Sequence, residues 1–171
     1  MDCTAIMELA KTEIRKNFDS QESSFNKLNF SHWSKLDYCI YDNNNYNNLY
    51  KPGVYIYSYK VKDGMLDDEK PWLYADYIGM STFKISQRRA QFITVLRNKN
   101  VFENSRQDHI GAEKAKKIWN NPSVSEFYYC IANCPPSYAH ELEQILLDDY
   151  WSHYTDLPVL QGQWTRKYKF K

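Results

Sequence analysis

The sequence predicts a small α+β domain, with a three-stranded, mainly antiparallel sheet flanked by helices and an N-terminal helical addition. The first observation behind this class is a hairpin over 53–79, whose two strands are rich in β-branched and aromatic residues. The second is helical spacing of apolar residues in three later stretches, with a further strand between the second and the third. The length of 171 residues, 43% of them hydrophobic, suits one globular domain.

The region ahead of the hairpin is expected to be an addition, residues 1–50, that packs on the domain. Apolar residues at helical spacing predict a helix over 3–17, and the asparagine-rich stretch 42–48 predicts a loop. The domain is then assigned to residues 51–163, followed by a basic and aromatic tail over 164–171.

The elements of the domain follow from local signals. Pro52 precedes a strand over 53–61, an acidic connection follows over 62–71, and the strand returns over 72–79. The paired prolines at 135 and 136 mark the start of the last helix. The helix, helix, strand and helix that complete the domain are predicted over 81–98, 110–119, 124–132 and 137–153.

Several classes of protein are disfavoured by the sequence. No apolar run approaches the roughly 20 residues that cross a bilayer, so we expect no membrane association. The N-terminus mixes charged with apolar residues too early for the core of a signal peptide. The four cysteines lack the spacing of a zinc site and are expected to be free thiols. We therefore expect a soluble protein in a reducing, cytoplasmic compartment.

Two short tyrosine motifs lie on the predicted hairpin, GVY at 53–55 and YIG at 77–79. Here the chain resembles the GIY-YIG nuclease family, whose signature is these two triplets on adjacent strands. The resemblance runs over about 53–163 and includes a helical arginine and a later helical glutamate. It implies an endonuclease that hydrolyses DNA phosphodiester bonds with Mg²⁺, or Mn²⁺, as cofactor.

The catalytic arginine of the family lies one turn into the helix after the second triplet. Arg88 and Arg89 both occupy this region, and Ile85, three residues ahead of Arg88, matches the family spacing and favours Arg88. A guanidinium beside the scissile phosphate offsets the negative charge that grows in the transition state. On the residues alone, both arginines could equally be solvated charges on a helix surface.

The resemblance also implies one carboxylate on a later helix as the metal ligand. Apolar residues three, four and seven positions further on favour Glu143, whereas Glu141 is followed by polar residues and stays the reserve candidate. A single carboxylate, completed by a phosphate oxygen and waters, suits Mg²⁺, which keeps much of its hydration. Without the hairpin motifs, an exposed acid on a helix would be the default interpretation.

The same resemblance implies roles for the two tyrosines. Tyr55 would act as a general base or orient the attacking water, and Tyr77 would hold the phosphate or a water through its hydroxyl. An ordinary tyrosine pKa of about 10 is too high for an efficient base at neutral pH. We therefore expect nearby cations to lower the pKa of Tyr55.

The chain departs from the family pattern at two places. Phe92 stands where many members carry His or Tyr, four residues after the arginine, and it cannot move a proton. His109, ahead of the second helix, is the candidate to compensate, since the charge of a histidine is adjustable near neutral pH. A surface histidine without a role is the alternative. Gln161 or Gln163 replaces the family's late asparagine.

The net charge of +1 hides a strong polarity along the chain. Residues 84–119 hold nine basic and three acidic residues, a local charge of +6. The tail 164–171 adds four basic residues interleaved with aromatic ones, which suits phosphate contact and stacking but also a final edge strand. The residues expected to contact nucleic acid are Arg89, Arg97, Lys116, Lys117, Arg166 and Lys167.

These features together predict a restriction-type endonuclease acting on double-stranded DNA. A palindromic site would need two protomers related by a two-fold axis, so a homodimer is one expected state. The alternative is a non-catalytic nucleic-acid-binding domain that retains the fold but has lost the chemistry. A structural or interaction protein with a tyrosine-rich surface is the third interpretation.

Overall fold

A computed structural model describes residues 29–36, 46–59, 70–97 and 109–161 of the chain. The strands and helices are β1 (Ser34–Lys35), α1 (Tyr46–Leu49), β2 (Gly53–Tyr59), β3 (Tyr77–Ser81), α2 (Ile85–Arg97), α3 (Ile110–Ile118), β4 (Phe127–Asn133) and α4 (Ala139–Tyr154). The predicted α+β class is confirmed. The helix predicted over 3–17 and the tail 164–171 lie outside the described residues. The end of the loop predicted over 42–48 is instead the start of α1.

Within the described residues, the sheet has four antiparallel strands in the order β1-β4-β2-β3, one more than the three that were predicted. The additional strand, β1, pairs with β4 through Ser34 opposite Tyr129. Two residues are too few to leave an alternating pattern in a sequence, which is why no strand was predicted there. Since β1 comes from the stretch assigned to the N-terminal addition, part of that stretch belongs to the sheet of the domain.

The central strand, β2, is buried on both faces and separates two apolar clusters. Alternate side chains of a strand point to opposite faces. Tyr55 and Tyr57 therefore pack with residues of α2 and α3 on one side. Val54 and Ile56 pack with leucines of α4 on the other side. The tyrosine face of the sheet thus packs against α2 and α3, and the aliphatic face packs against α4.

The returning strand of the hairpin starts later than the predicted residue 72. A 3₁₀ helix occupies Pro71–Tyr74, and β3 begins at Tyr77. Between them, the carboxylate of Asp76 accepts hydrogen bonds from the Tyr59 N–H, at 2.5 Å, and from the Ser58 hydroxyl, at 3.5 Å. These bonds explain why β3 starts later than residue 72. They hold Asp76 beside the end of β2, so strand pairing starts only after Asp76.

All three predicted helices of the domain are present, with later starts for two of them. Helix α2 begins at Ile85 instead of residue 81, because Ser81 ends β3 and its hydroxyl donates to the Lys84 carbonyl at 2.9 Å. The strand predicted over 124–132 also starts later: a 3₁₀ helix occupies Val124–Glu126, and β4 follows it.

Within the described residues, no helix has both the length and the apolar character that a membrane span requires.

Candidate active site

The two tyrosines of the motifs meet across the hairpin. Strands β2 and β3 pair Tyr55 with Gly79 and Tyr57 with Tyr77, and the ring centroids of Tyr55 and Tyr77 are 6.2 Å apart. The ring of Tyr55 lies across Gly79: a Cβ on that glycine would stand 2.6 Å from the Tyr55 hydroxyl and 2.7 Å from the Tyr77 ring. The glycine of the second motif therefore provides the space in which the Tyr55 hydroxyl lies.

Helix α3 closes over the other side of Tyr77. A Cβ on Gly111, in the first turn of α3, would approach the Tyr77 ring to 2.7 Å, so the helix backbone lies directly on the ring. Glycine was not singled out there from the sequence, since a single glycine at a helix start carries no distinctive signal. Both tyrosine motifs thus depend on close approach of backbone to an aromatic ring.

Arg88 projects from α2 toward the tyrosines. Its Nη1 donates to Oε1 of Gln91 at 2.8 Å, and its charge acts on the hydroxyls of Tyr55 and Tyr77. The Tyr55 hydroxyl is buried, and no hydrogen bond of acceptable geometry reaches it from the described residues. The sequence did not predict Gln91 as a residue of the site, although its position three residues after Arg88 places it on the same side of the helix.

The neighbouring arginine, Arg89, has a different environment, which contradicts its expected role as a phosphate contact. Arg89 is only 5% exposed, and its guanidinium lies 5.3 Å from the ring centroid of Tyr129. It shares the buried side of α2 with Ile85 and Leu96, at the helical spacing of a core face. Arg89 therefore packs inside the protein, and the site is left with Arg88.

Glu143 reaches the same group of residues from α4. Its side chain is buried. Nδ1 of the exposed His140 lies 3.9 Å from Oε2 of Glu143. The charge of Glu143 acts on Tyr55 and Tyr77. Burial raises the pKa of Glu143 to about 7, in spite of the opposing effect of the Arg88 cation. Glu141, the reserve candidate, is exposed on α4. The structure thus brings Tyr55, Tyr77, Arg88 and Glu143 together.

The raised pKa of Glu143 predicts a dependence of stability on pH. With a folded pKa of about 7 against an ordinary 4.5, the folded state holds this proton more tightly than the unfolded state. The free energy of unfolding should be highest below about pH 4.5 and fall until pH exceeds about 7, with a loss on the order of 3 kcal/mol. Denaturant unfolding of wild type and Glu143→Gln at pH 5 and pH 8 measures it.

The variant should become more stable than wild type as the pH rises, because the amide cannot ionise. Glu141→Gln, which changes an exposed residue on the same helix, is the control and should follow wild type at both pH values. Parallel pH profiles for wild type and Glu143→Gln would contradict the assignment of a buried, protonated carboxyl.

Substitution of Gly79 by alanine is expected to disturb the site directly. The new methyl group would overlap both the Tyr55 ring and the Tyr77 ring, so the rings or the strand must shift. Such overpacking costs about 1 to 3 kcal/mol in the free energy of unfolding. Thermal or denaturant unfolding of Gly79→Ala measures the loss. In a Tyr55→Ala background the same substitution should cost less; an equal cost in both backgrounds would exclude the overlap with Tyr55 as the cause.

Tyr55 does not have the lowered pKa that was expected. Burial raises its pKa, and the nearby Arg88 cation offsets only part of this effect. Burial likewise raises the pKa of Tyr77 well above the ordinary value, with Tyr55 and Glu143 adding to the rise. Both side chains are therefore neutral phenols at neutral pH. As a neutral phenol, Tyr55 can orient a water by hydrogen bonding, and it becomes a base only where a further cation lowers its pKa.

His109 is placed beside the tyrosines, but its charge is not adjustable near neutral pH. It precedes α3, where its Nδ1 accepts a hydrogen bond from the Ala112 N–H at 3.4 Å. Burial and, secondarily, the Arg88 cation lower its pKa to about 3. The proton of the neutral ring then lies on Nε2, which is buried and has no hydrogen-bond partner among the described residues. His109 packs 5.1 Å from the Tyr77 ring as a neutral donor.

Phe92 and Gln161 have structural roles, whereas Gln163, the other candidate for the family's late asparagine, lies outside the described residues. Phe92 is fully buried, with its ring 4.2 Å from that of Tyr57 and 5.0 Å from that of His109. Gln161 accepts the Ile78 N–H through Oε1 at 3.2 Å, while its carbonyl accepts from Lys114 at 2.5 Å. Gln161 therefore anchors the strand that carries Tyr77 and Gly79.

The remaining residues expected to contact nucleic acid lie at helix ends or outside the described part. Arg97 and Lys117 are exposed at the ends of α2 and α3, and Lys116 is half-buried. These positions leave Arg97 and Lys117 accessible to a large ligand. Arg166 and Lys167 lie outside the described residues.

The site fits a divalent cation only together with a phosphate. Among the described residues, no group of three or more His, Cys, Asp or Glu side chains converges as a metal cage. Mg²⁺, however, is commonly bound by one or two carboxylates, several waters and substrate phosphate oxygens. Glu143 supplies one such carboxylate, and its pKa of about 7 means that binding a cation would displace a proton. The Tyr55 hydroxyl is a second oxygen near this carboxylate, and its geometry shows no hydrogen bond within the described part of the chain.

Comparison of the chain with protein-family models, with curated proteins and with solved structures yields no match. The function of the protein is therefore inferred from the chemistry of its own residues and from the resemblance of its motifs.

Proposed function

We propose that the protein is a Mg²⁺-dependent endonuclease that hydrolyses DNA phosphodiester bonds, site-specifically and in the manner of a restriction enzyme. The observation that carries the proposal is the convergence of two phenols, a guanidinium and a buried carboxyl from four separate elements of the fold. A cation, a metal-ligating carboxylate and hydroxyls that hold water are the parts that phosphodiester hydrolysis requires.

Each side chain has a distinct task in this reaction. Glu143 would hold Mg²⁺, which supplies Lewis-acid stabilisation of charge on the phosphate and the leaving oxygen. The Arg88 guanidinium offsets charge on the non-bridging phosphate oxygens as the transition state forms. The Tyr55 hydroxyl orients the attacking water, whose proton passes to solvent as its oxygen bonds to phosphorus and the bond to the leaving oxygen breaks. Tyr77 holds the phosphate or a second water. Gln91 fixes Arg88 through its 2.8 Å hydrogen bond.

The alternative function is DNA binding without cleavage. Phe92 favours it, since the position where many GIY-YIG nucleases place a proton-carrying side chain is here an apolar ring in the core. The buried, neutral His109 does not replace a titrating group at neutral pH. Both functions would use the exposed Arg97 and Lys117, and they differ in whether the Glu143 carboxylate is required.

Nicking of supercoiled plasmid in the presence of Mg²⁺ tests the proposal. Wild-type protein is expected to produce open-circular or linear DNA, and Tyr55→Phe, which keeps the ring but removes the hydroxyl, should be strongly impaired. Discrete fragments would indicate site specificity, and cleavage of both strands at a palindrome would favour a homodimer. Equal nicking by both proteins would indicate a contaminating nuclease. Binding of the plasmid without any cleavage would favour the alternative function.

A further inference from the structure

An exposed cluster of aromatic and cationic side chains lies beside the candidate active site and has no task in the proposed chemistry. This cluster, the Phe83 cluster, consists of Tyr50, Phe83 and Lys84. Phe83 is 64% exposed and Tyr50 is 40% exposed. The Lys84 ammonium lies 4.9 Å from the ring centroid of Phe83 and 5.8 Å from that of Tyr50. Two accessible rings therefore share one cation.

The cluster is held in place by hydrogen bonds of the backbone around it. The Ser81 hydroxyl accepts from the Phe83 N–H at 3.3 Å and donates to the Lys84 carbonyl at 2.9 Å. The Ile85 N–H donates to the Lys51 carbonyl at 3.2 Å, which links the start of α2 to the residue after Tyr50. The exposed ring of Phe83 thus projects from a turn at the end of β3 that these hydrogen bonds stabilise.

The position of the cluster relates it to the reacting centre. Lys84 directly precedes α2, and Arg88 follows four residues later, about 6 Å along the helix axis. The same short turn connects Tyr77 and Gly79, on β3, with Arg88 on α2. A polymer whose phosphate lay at Arg88 would therefore pass the Phe83 cluster within one or two units of its chain.

The charge around the cluster selects a polyanion as its partner. Residues 46–59 and 77–97 contain no acidic residue. The basic residues in these two ranges are Lys51, Lys84, Arg88 and Arg97, together with Arg89, which is buried in the core. By contrast, the exposed aromatic residues Trp151 and Tyr154 lie in a stretch that also holds Asp148, Asp149 and Asp156. Within the described residues, the Phe83 cluster therefore combines exposed rings with a lysine in stretches that hold no acidic residue.

We propose that the Phe83 cluster stacks on an unpaired base of the DNA, next to the phosphodiester held at Arg88. This inference rests on the proposed nuclease function and names its substrate class: DNA with an unpaired or extruded base beside the scissile bond. An exposed aromatic ring offers stacking to the face of any base, whereas the bases of an intact duplex are already stacked on their neighbours. Lys84 contributes contact with the adjoining phosphate.

Binding to three labelled duplexes of one sequence tests this inference, by fluorescence anisotropy in EDTA at a fixed salt concentration. The first duplex is fully paired, the second has one additional adenine, and the third has an abasic nucleotide in place of that adenine. Wild type should bind the second duplex about tenfold or more tightly than the other two. Phe83→Ala should remove this preference, and Phe83→Trp, which keeps a stacking ring, should retain it. Lys84→Gln should weaken binding to all three duplexes.

The matched control is Tyr154→Ala, which removes a 50% exposed ring from the aspartate-containing stretch 148–156 and should leave the preference unchanged. Equal affinity for all three duplexes, or a preference that survives Phe83→Ala, would overturn the inference. Since EDTA prevents metal-dependent cleavage, these results are independent of nicking, which is measured separately on the fully paired plasmid. Failure to bind any duplex would overturn both the inference and DNA as the substrate.

Discussion

Glu143→Gln is expected to lower the rate of Mg²⁺-dependent plasmid nicking by about two to three orders of magnitude while the protein stays folded. The substitution keeps the shape of the side chain but removes the charge that would hold the cation. Because the carboxyl is buried with a pKa of about 7, the amide should also raise the stability of the protein above neutral pH. Lost activity together with unchanged or increased stability would separate a chemical role from a structural one.

The control for this substitution is Glu141→Gln, on the same helix two residues earlier. Glu141 is exposed, whereas Glu143 is 5% exposed, so only the second substitution should affect nicking. Nicking rates are measured with purified proteins under identical Mg²⁺ concentrations, with circular dichroism to establish folding. If Glu141→Gln abolished nicking and Glu143→Gln did not, the metal ligand would be the reserve candidate from the sequence.

Arg88→Ala is expected to reduce nicking by about a hundredfold or more. Its guanidinium acts on the Tyr55 hydroxyl and lowers the pKa of that phenol, and it is oriented by the hydrogen bond to Gln91. Arg88→Lys should recover only a part of the rate, because an ammonium cannot reproduce the planar, bidentate contact of a guanidinium with phosphate oxygens. Initial rates on supercoiled plasmid measure both variants.

Arg89 provides a matched comparison for this experiment. Arg89→Ala removes a buried side chain that packs over the Tyr129 ring, so it should lower the free energy of unfolding by about 1 to 3 kcal/mol. The folded fraction of that variant should still cleave DNA. Loss of activity in both variants, with full stability in both, would contradict the assignment of Arg88 to the site and Arg89 to the core.

The residues of the site were more predictable than the details of the fold. The triplets at 53–55 and 77–79 lie on adjacent strands, and the apolar spacing that favoured Arg88 and Glu143 follows from the helices that carry them. The same spacing could have assigned Arg89 to the core, since it lies one turn after buried Ile85. A helical period reports which side of a helix is buried, whatever the chemical character of the residue.

Other features depend on contacts that no local pattern reports. Strand β1 has only two residues, and Asp76 fixes the start of β3 through bonds to a different strand. The neutral state of His109 follows from complete burial beside Arg88, which a histidine ahead of a helix does not reveal. The raised pKa of Tyr55 has the same origin, because burial is set by the packing of α2 and α3 on the sheet.

The hydrogen bond between Gln161 and the Ile78 N–H bears on how two copies of the protein could associate. Among the described strands, β3 lies at an edge of the sheet, and an edge strand with free N–H groups invites pairing with another chain. On this edge, Gln161 occupies the Ile78 N–H, and the Asp76 carbonyl accepts the Leu160 N–H at 2.8 Å. A dimer that extended the sheet through β3 would first have to displace the segment at 160–161, and with it the anchor of the strand that carries Tyr77.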